Sequence, residues 1–218
     1  FEAVAGDCRV RVNERDVGGH FDSYLPFDLD VTDALQAGEN TVQVGVRDHK
    51  LWDRHEPGYP HMSAPYPTGS NTDGLNGIWQ DVSLVRVPAL RVRDVFVKPK
   101  VSADRLELEL TIVNSGSSDR RVVPSVGISA WINDAQGDPM AHEEPAWHLG
   151  PELLTASGSA VDVPSQGEVM ARMSLPVGDE LALWTPDAPN LSAAVVSLAV
   201  DGQAVDRRYV RFGWREFT

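Results

Sequence analysis

Apolar residues alternate with polar ones along most of this chain, and no segment sustains a 3.6-residue period. Leu106, Leu108, Leu110 and Ile112 alternate with Arg105, Glu107, Glu109 and Thr111. Cys8, Val10 and Val12 alternate with Arg9, Arg11 and Asn13, and Val42, Val44 and Val46 with Thr41, Gln43 and Gly45. Successive side chains of a strand point to opposite faces, so this pattern describes half-buried strands and an all-β chain. Residues 126–132 and 169–175 alternate in the same way. Residues 193–200 are nearly all apolar, which predicts a central strand buried on both faces. Residues 204–212 read as the last strand, after a tight turn at Asp201-Gly202. Residues 31–35 read as one helical turn capped by Asp30 or Thr32. Residues 141–167 read as irregular, with one short strand.

Short strands at this spacing, separated by turns such as Asn13-Glu14-Arg15-Asp16, Ala37-Gly38-Glu39-Asn40 and Asp134-Ala135-Gln136-Gly137, indicate β-sandwiches. The stretch NTDGLNGIWQDVSLVRV, residues 71–87, opens as a glycine-rich turn and turns into a strand that runs into Pro88. It is expected to close one β-domain, residues 1–88, and to hinge into a second, residues 89–213, with 214–218 beginning a linker. The second domain has the size and strand number of an immunoglobulin-like sandwich. The first has few strands for a closed sandwich, and part of its sheet is expected upstream of Phe1. A chain that opens on Phe rather than Met is expected to be a segment of a longer protein.

The formal net charge of −13, without a Lys/Arg cluster, argues against nucleic acid or an anionic membrane as a partner. The single cysteine, Cys8, excludes an internal disulfide and a cysteine-based zinc site, and its place in an alternating strand marks a buried structural thiol. His49, His55 and His61 stand six residues apart, without the i, i+4 spacing of a helical zinc pair, so no metal or other cofactor is expected. Glu143 and Glu144 are adjacent and would point to opposite faces of a strand, unlike the paired carboxyls of a glycosidase.

Residues 48–76 break the pattern. This stretch is long, aperiodic and rich in Pro, Gly, Asp, His and aromatics, which inside a compact domain marks a functional loop. Asp48, Trp52, Asp53, His55 and Tyr59 are its candidate carbohydrate-binding residues. Aromatic faces suit the C–H surface of a sugar, and fixed polar groups suit its hydroxyls. Packing of Trp52 and Tyr59 into a seam between domains is the alternative. Trp79 and Trp184 read as interdomain anchors, the latter stiffened by Pro186 and Pro189.

Several segments together resemble the non-catalytic front half of glycoside hydrolase family 2, the β-galactosidases, β-glucuronidases and β-mannosidases. They are Phe1-Glu2-Ala3-Val4 with Cys8-Arg9-Val10-Arg11-Val12-Asn13-Glu14; Val17-Gly18-Gly19-His20 with Tyr24-Leu25-Pro26-Phe27 and Asp30-Val31-Thr32; Gly38-Glu39-Asn40-Thr41-Val42; Gly77-Ile78-Trp79-Gln80-Asp81-Val82; Leu183-Trp184-Thr185-Pro186-Asp187-Ala188-Pro189-Asn190-Leu191; and Phe212-Gly213-Trp214-Arg215-Glu216. Glu14 stands where the family usually has Gly. The tryptophan-rich motif of β-mannosidase-like members is absent from residues 48–76. The resemblance implies a partial sugar-binding jelly roll followed by an immunoglobulin-like sandwich, with a catalytic (β/α)8 barrel beginning after Thr218. It implies an accessory region, inactive alone, that braces the barrel and lends the 48–76 loop to the entrance for a β-glycoside substrate. A stand-alone carbohydrate-binding or adhesion module is the alternative. An open sheet edge in the first domain would favour self-association.

Overall fold

The computed structural model describes residues 1–47, 77–134 and 147–217. The chain divides into two compact units, Phe1–Val85 and Arg86–Thr218. Among the described residues there is no α-helix, and the only helical turns are short 3-10 segments at Thr32–Ala34 and Val101–Ala103.

In the first unit, β2 (Asp7–Val12) lies between β3 (Arg15–Phe21) and β4 (Val42–Arg47) in an antiparallel sheet. Cys8, Val10 and Val12 are buried, as the alternation requires. The β2–β3 connection is a two-residue turn in which Asn13 and Glu14 have φ of 49° and 66°. Such turns match the twist of a hairpin and need both central residues in the left-handed region, which Asn tolerates and Glu resists. The Asn13 carboxamide donates to the carbonyl of Ala34 (2.9 Å) and to Asn40 Oδ1 (2.7 Å), while its Oδ1 accepts from Thr41 N–H (2.9 Å). Asn40 in turn accepts from Gln36 N–H (2.9 Å) and donates to the Gln36 and Gly38 carbonyls. Two asparagines from two turns thus satisfy the backbone of both.

Strand β3 carries no apolar alternation that would announce it in the sequence. Gly18 and Gly19 lie inside the strand, where a bulge shifts the register between Val10 and Arg11. A Cβ on Gly19 would stand 2.2 Å from the Cys8 carbonyl oxygen, so the close approach of the two backbones excludes a side chain there. The helical turn at Thr32–Ala34 falls inside the expected 31–35, with Asp30 Oδ1 accepting the Thr32 N–H at 2.9 Å.

A second ladder pairs β1 (Val4–Ala5) with β5 (Gly77–Ile78). Hydrogen bonds from Trp79 N–H to the Ala3 carbonyl and from Glu2 N–H to the Asp81 carbonyl carry the pairing on. The strand expected through residue 87 stops there. Residues 82–89 belong to no strand and are exposed, Leu84 at 76%. Alternating apolar residues form a strand only where a neighbouring strand takes up their N–H and C=O groups.

The described strands of the second unit form a two-sheet sandwich. One sheet runs β11 (Gly167–Pro176), β7 (Arg105–Asn114), β6 (Leu90–Lys100); the other runs β10 (Val161–Val163), β8 (Arg120–Asn133), β12 (Leu191–Val200), β13 (Gln203–Gly213), with β9 (Trp147–Ser157) also on β8. All pairings are antiparallel. Leu106, Leu108, Leu110 and Ile112 of β7 are fully buried against Val126 and Ile128 of β8 and Val196 and Leu198 of β12 in one core. Burying each such side chain contributes roughly 1.5–3 kcal/mol. Strand β6 runs to Lys100, through Pro99, which an edge strand tolerates.

Strand β12 is central, as expected, but only Ser192, Ala194, Val196 and Leu198 form a uniformly buried face. Val195 and Ser197 on the other face are half-buried. The Asp201-Gly202 turn has both residues at positive φ. Residues 141–167, expected to be irregular, contain β9 and β10. Two register shifts along the β8–β9 pair explain why the 147–157 segment shows no clean alternation. Glu109 of β7 takes Lys98 of β6 at 2.8 Å and Arg172 of β11 at 3.2 Å, a charge ladder across one sheet.

Candidate functional site

The expected carbohydrate-binding residues Asp48, Trp52, Asp53, His55 and Tyr59 lie outside the described residues, as do His49, His61, Glu143 and Glu144. The structure does describe the root from which residues 48–76 spring. Strand β4 delivers the chain to that loop at Arg47, and β5 receives it at Gly77. Arg47 is paired with Asp7 on β2, and Gly77 with Ala5 on β1. Ala5 and Asp7 are separated only by Gly6, so both ends of the loop are tied to one point of the chain.

That point is braced from several sides. Gly6 has φ of 89°, and its N–H donates to the buried Ser23 Oγ at 3.0 Å. Its carbonyl accepts from Asp22 N–H. The Ser23 carbonyl accepts the indole N–H of Trp79 at 2.9 Å, and the Trp79 ring meets Tyr24 edge-on at 6.0 Å. Asp22 Oδ1 accepts N–H groups from Tyr24 (2.6 Å) and Leu25 (2.9 Å), and the Tyr24 bond foremost holds its carboxyl below the usual range. Arg47 Nε lies 3.6 Å from Asp7. A short-range brace of this kind fixes the position of the two chain ends it holds.

Beside the root lies a shallow depression lined by Asp7, Cys8, Arg9, Gly19, His20 and Phe21. His20 stacks on Phe27 at 4.5 Å, and Phe27 on Phe1 at 4.9 Å. The Nε2 of His20 is buried without a hydrogen-bond partner among the described residues. The Cys8 thiol is buried, and burial pushes its pKa up, the opposite of what a nucleophile needs. Among the described residues no cluster of three or more His, Cys, Asp or Glu could hold a metal ion.

At the other end of the chain two segments that are far apart in sequence form a latch within the second unit. The Trp184 N–H donates to the Trp214 carbonyl at 3.0 Å, and Leu183 bridges Trp214. A Cβ on Gly213 would fall 2.9 Å from the Trp184 ring, so the indole lies flat on bare backbone. The Arg215 guanidinium sits between the Trp184 ring (4.1 Å) and the Phe217 ring (4.6 Å). Glu216 accepts the Ser102 N–H (2.9 Å) and Oγ–H (2.8 Å), with Lys100 at 3.7 Å. The bond from the Ser102 N–H comes first among the contacts that hold the Glu216 carboxyl below its ordinary range. The sequence marked Trp184, but the Arg215 and Glu216 contacts were legible only as parts of a motif.

Comparison with known proteins agrees with this architecture. Residues 1–88 match the model of the sugar binding domain of glycosyl hydrolases family 2, and residues 90–215 match the model named Glycosyl hydrolases family 2. A β-galactosidase of Clostridium acetobutylicum is 25% identical over 222 residues, covering 100% of this chain and 20% of that protein. One from Alteromonas mediterranea is 28% identical over 216 residues, covering 99% of this chain and 18% of the relative. The chain therefore spans about a fifth of the length of these curated relatives. Among solved structures, a Bacteroides uniformis β-glucuronidase superposes with a TM-score of 0.73 at 17% identity, over 99% of this chain and 24% of the other. A β-galacturonidase from Eisenbergiella tayi gives 0.69 at 18% identity, over 99% of this chain and 32% of the other. At these identities the superpositions speak for the fold alone.

Proposed function

The chain belongs to glycosyl hydrolase family 2, and from that premise we propose that it is the accessory region of a longer β-glycosidase. In this reading the catalytic carboxylates reside on a (β/α)8 barrel elsewhere in the polypeptide. The two β units brace that barrel, and residues 48–76 are lent to the substrate entrance. Asp48, Trp52, Asp53, His55 and Tyr59 make the sugar contacts, while Trp79 and Trp184 stiffen the ends of the two units that meet their neighbours. The observation that carries this reading is the loop root. Arg47 and Gly77 are pinned to residues flanking Gly6, so the aromatic-rich stretch between them is anchored at both ends to one braced point.

The test has two arms. The purified chain should not turn over aryl β-galactosides or β-glucuronides. In the longer protein, Trp52→Ala and Tyr59→Ala should raise KM more than they lower kcat. Turnover by the chain alone, or unchanged kinetics in both variants, would overturn the proposal. The match of residues 1–88 to a sugar binding domain favours one rival, a stand-alone carbohydrate-binding module. Calorimetric binding of an oligosaccharide by the chain, in a protein with no barrel, would decide for it. Val82, Leu84 and Val85 also leave apolar side chains exposed, which supports association between copies. Light scattering that shows a monomer at every concentration would remove that part.

A further inference from the structure

Most edges of the described sheets are blunted. A register shift interrupts the pairing of β3, β6, β9 and β13. The free side of β6 is further occupied by Asp206, whose carboxylate accepts the Val92 N–H at 2.7 Å. Strands β4 and β10 are short, at six and three residues. Strand β11 is the exception. It pairs with β7 from Gly167 to Pro176 without a register shift, and its only proline is its last residue. Among the described residues no backbone hydrogen bond reaches its other side. A long, regular, uncovered edge is a template for another strand.

The side chains of β11 say which strand. Glu168, Met170 and Arg172 are exposed on the face turned from the core, Met170 at 60%, while Ala171 and Met173 are buried. Two copies of β11 laid antiparallel about a twofold axis at Met170 set Glu168 of each opposite Arg172 of the other, with the two Met170 side chains between. Other registers that keep the faces matched are worse. An axis at Glu168 or Arg172 sets like charges opposite each other, and one at Val169 or Ala171 sets Met170 against a charge. Within one chain Glu168 meets Arg93 at 2.6 Å, and Glu109 takes Lys98 at 2.8 Å and Arg172 at 3.2 Å. A carboxylate accepts several donors and a guanidinium has five N–H groups, so the row Lys98–Glu109–Arg172 can continue into Glu168 and Arg93 of a second copy. The formal net charge of −13 opposes association at long range. That repulsion is screened beyond about 8 Å at physiological salt, and the edge carries one charge of each sign. We propose that β11 is an interaction edge whose partner is β11 of a second copy, in an isologous pairing centred on Met170. A single strand pair is small for a stable interface, so the dimer is weak and concentration-dependent. The contact depends neither on the accessory reading nor on the exposed residues 82–85.

The test is sedimentation velocity of the whole chain over a range of concentrations, which should show a monomer–dimer equilibrium. Arg172→Glu and Glu168→Arg should each weaken the dimer by about tenfold or more, since each sets like charges opposite twice. An equimolar mixture of these two variants should associate, because every opposed pair is then again of unlike charge. Met170→Cys, oxidised with diamide, should give a disulfide-linked dimer, because opposed residues of an antiparallel pair lie within disulfide reach, and Ser174→Cys should not. A chain that is monomeric at every concentration, a dimer unweakened by Arg172→Glu, a mixture of the two reversals that does not associate, or equal crosslinking at positions 170 and 174 would each overturn the proposal. A dimer lost in Leu84→Lys but kept in Arg172→Glu would overturn it too, and would assign association to residues 82–85.

Discussion

The two units of this chain are built from the same alternating pattern, yet they use it differently. In the second unit every strand of β6–β13 finds a neighbour, and the two sheets close on one core from Leu90 to Trp214. In the first, the buried apolar set among the described residues is short (Ala3, Val4, Ala5, Cys8, Val10 and Val12), while Val42, Ile78, Val82 and Leu84 stay exposed. The difference shows that alternation specifies a strand's faces but not what covers them. Where partner strands exist, the pattern becomes core. At residues 82–87, which pair with no strand among the described residues, the same pattern remains as extended chain with apolar side chains in water. The first unit compensates locally with polar devices: the Asn13–Asn40 pair, the Ser23 brace and the Asp22 turn.

The sharpest way to break this contrast is to truncate each core. Leu108→Ala should cost the second unit roughly 2–5 kcal/mol, as expected for a fully buried leucine, whereas Val10→Ala in the first unit should cost clearly less. Denaturant melts of the two variants check this. If Val10→Ala proves the more damaging, the first unit has a larger core than described. Next in size is Gly213→Ala, which drives a methyl into the Trp184 ring and should cost about 1–3 kcal/mol, read as a change in tryptophan fluorescence and a lower midpoint. Asn13→Ala removes one end of the turn network and should destabilise the first unit by about 1–3 kcal/mol while leaving the second unit's melting unchanged.

Glu14→Gly runs the other way. It relieves a left-handed glutamate, a strain of about 1–2 kcal/mol, against the extra chain entropy of glycine, and should give a net gain below about 1 kcal/mol. The smallest effect is the response to acid. Glu109 and Glu216 in the second unit and Asp22 in the first have folded pKa values below their ordinary ones. Their stabilisation is therefore complete above the ordinary carboxylate range and is lost as pH falls through the folded values. Both units should weaken in acid, and Glu216→Gln should flatten the second unit's share of that dependence.

Most of the second unit was legible because β7, β8, β11 and β12 bury one face against a facing sheet, and a half-buried strand writes its faces into every second residue. Strand β9 was hidden by the register shifts opposite Ser129, and β3 by glycines chosen for backbone approach to Cys8 rather than for strand propensity. Residues 82–87 read as strand because their side chains alternate, but pairing depends on a partner that a single segment does not encode. At the candidate site, composition singled out residues 48–76. The convergence of Arg47 and Gly77 on either side of Gly6 is a matter of long-range register, which no local pattern carries. The latch was half legible: Gly213 and Trp184 stood in separate motifs, and only the fold shows that the glycine is bare so that the indole can lie on it.

Native-state hydrogen exchange on the whole chain tests the central claim, that the two units use one alternating pattern with unequal burial among the described residues. The account expects the amides of β7, β8 and β12 to exchange as one slow class, and those of β2 and β4 to exchange through a distinct, lower-energy opening. A single slow class spanning β2, β4, β7 and β12, lost together at one denaturant concentration, would contradict it.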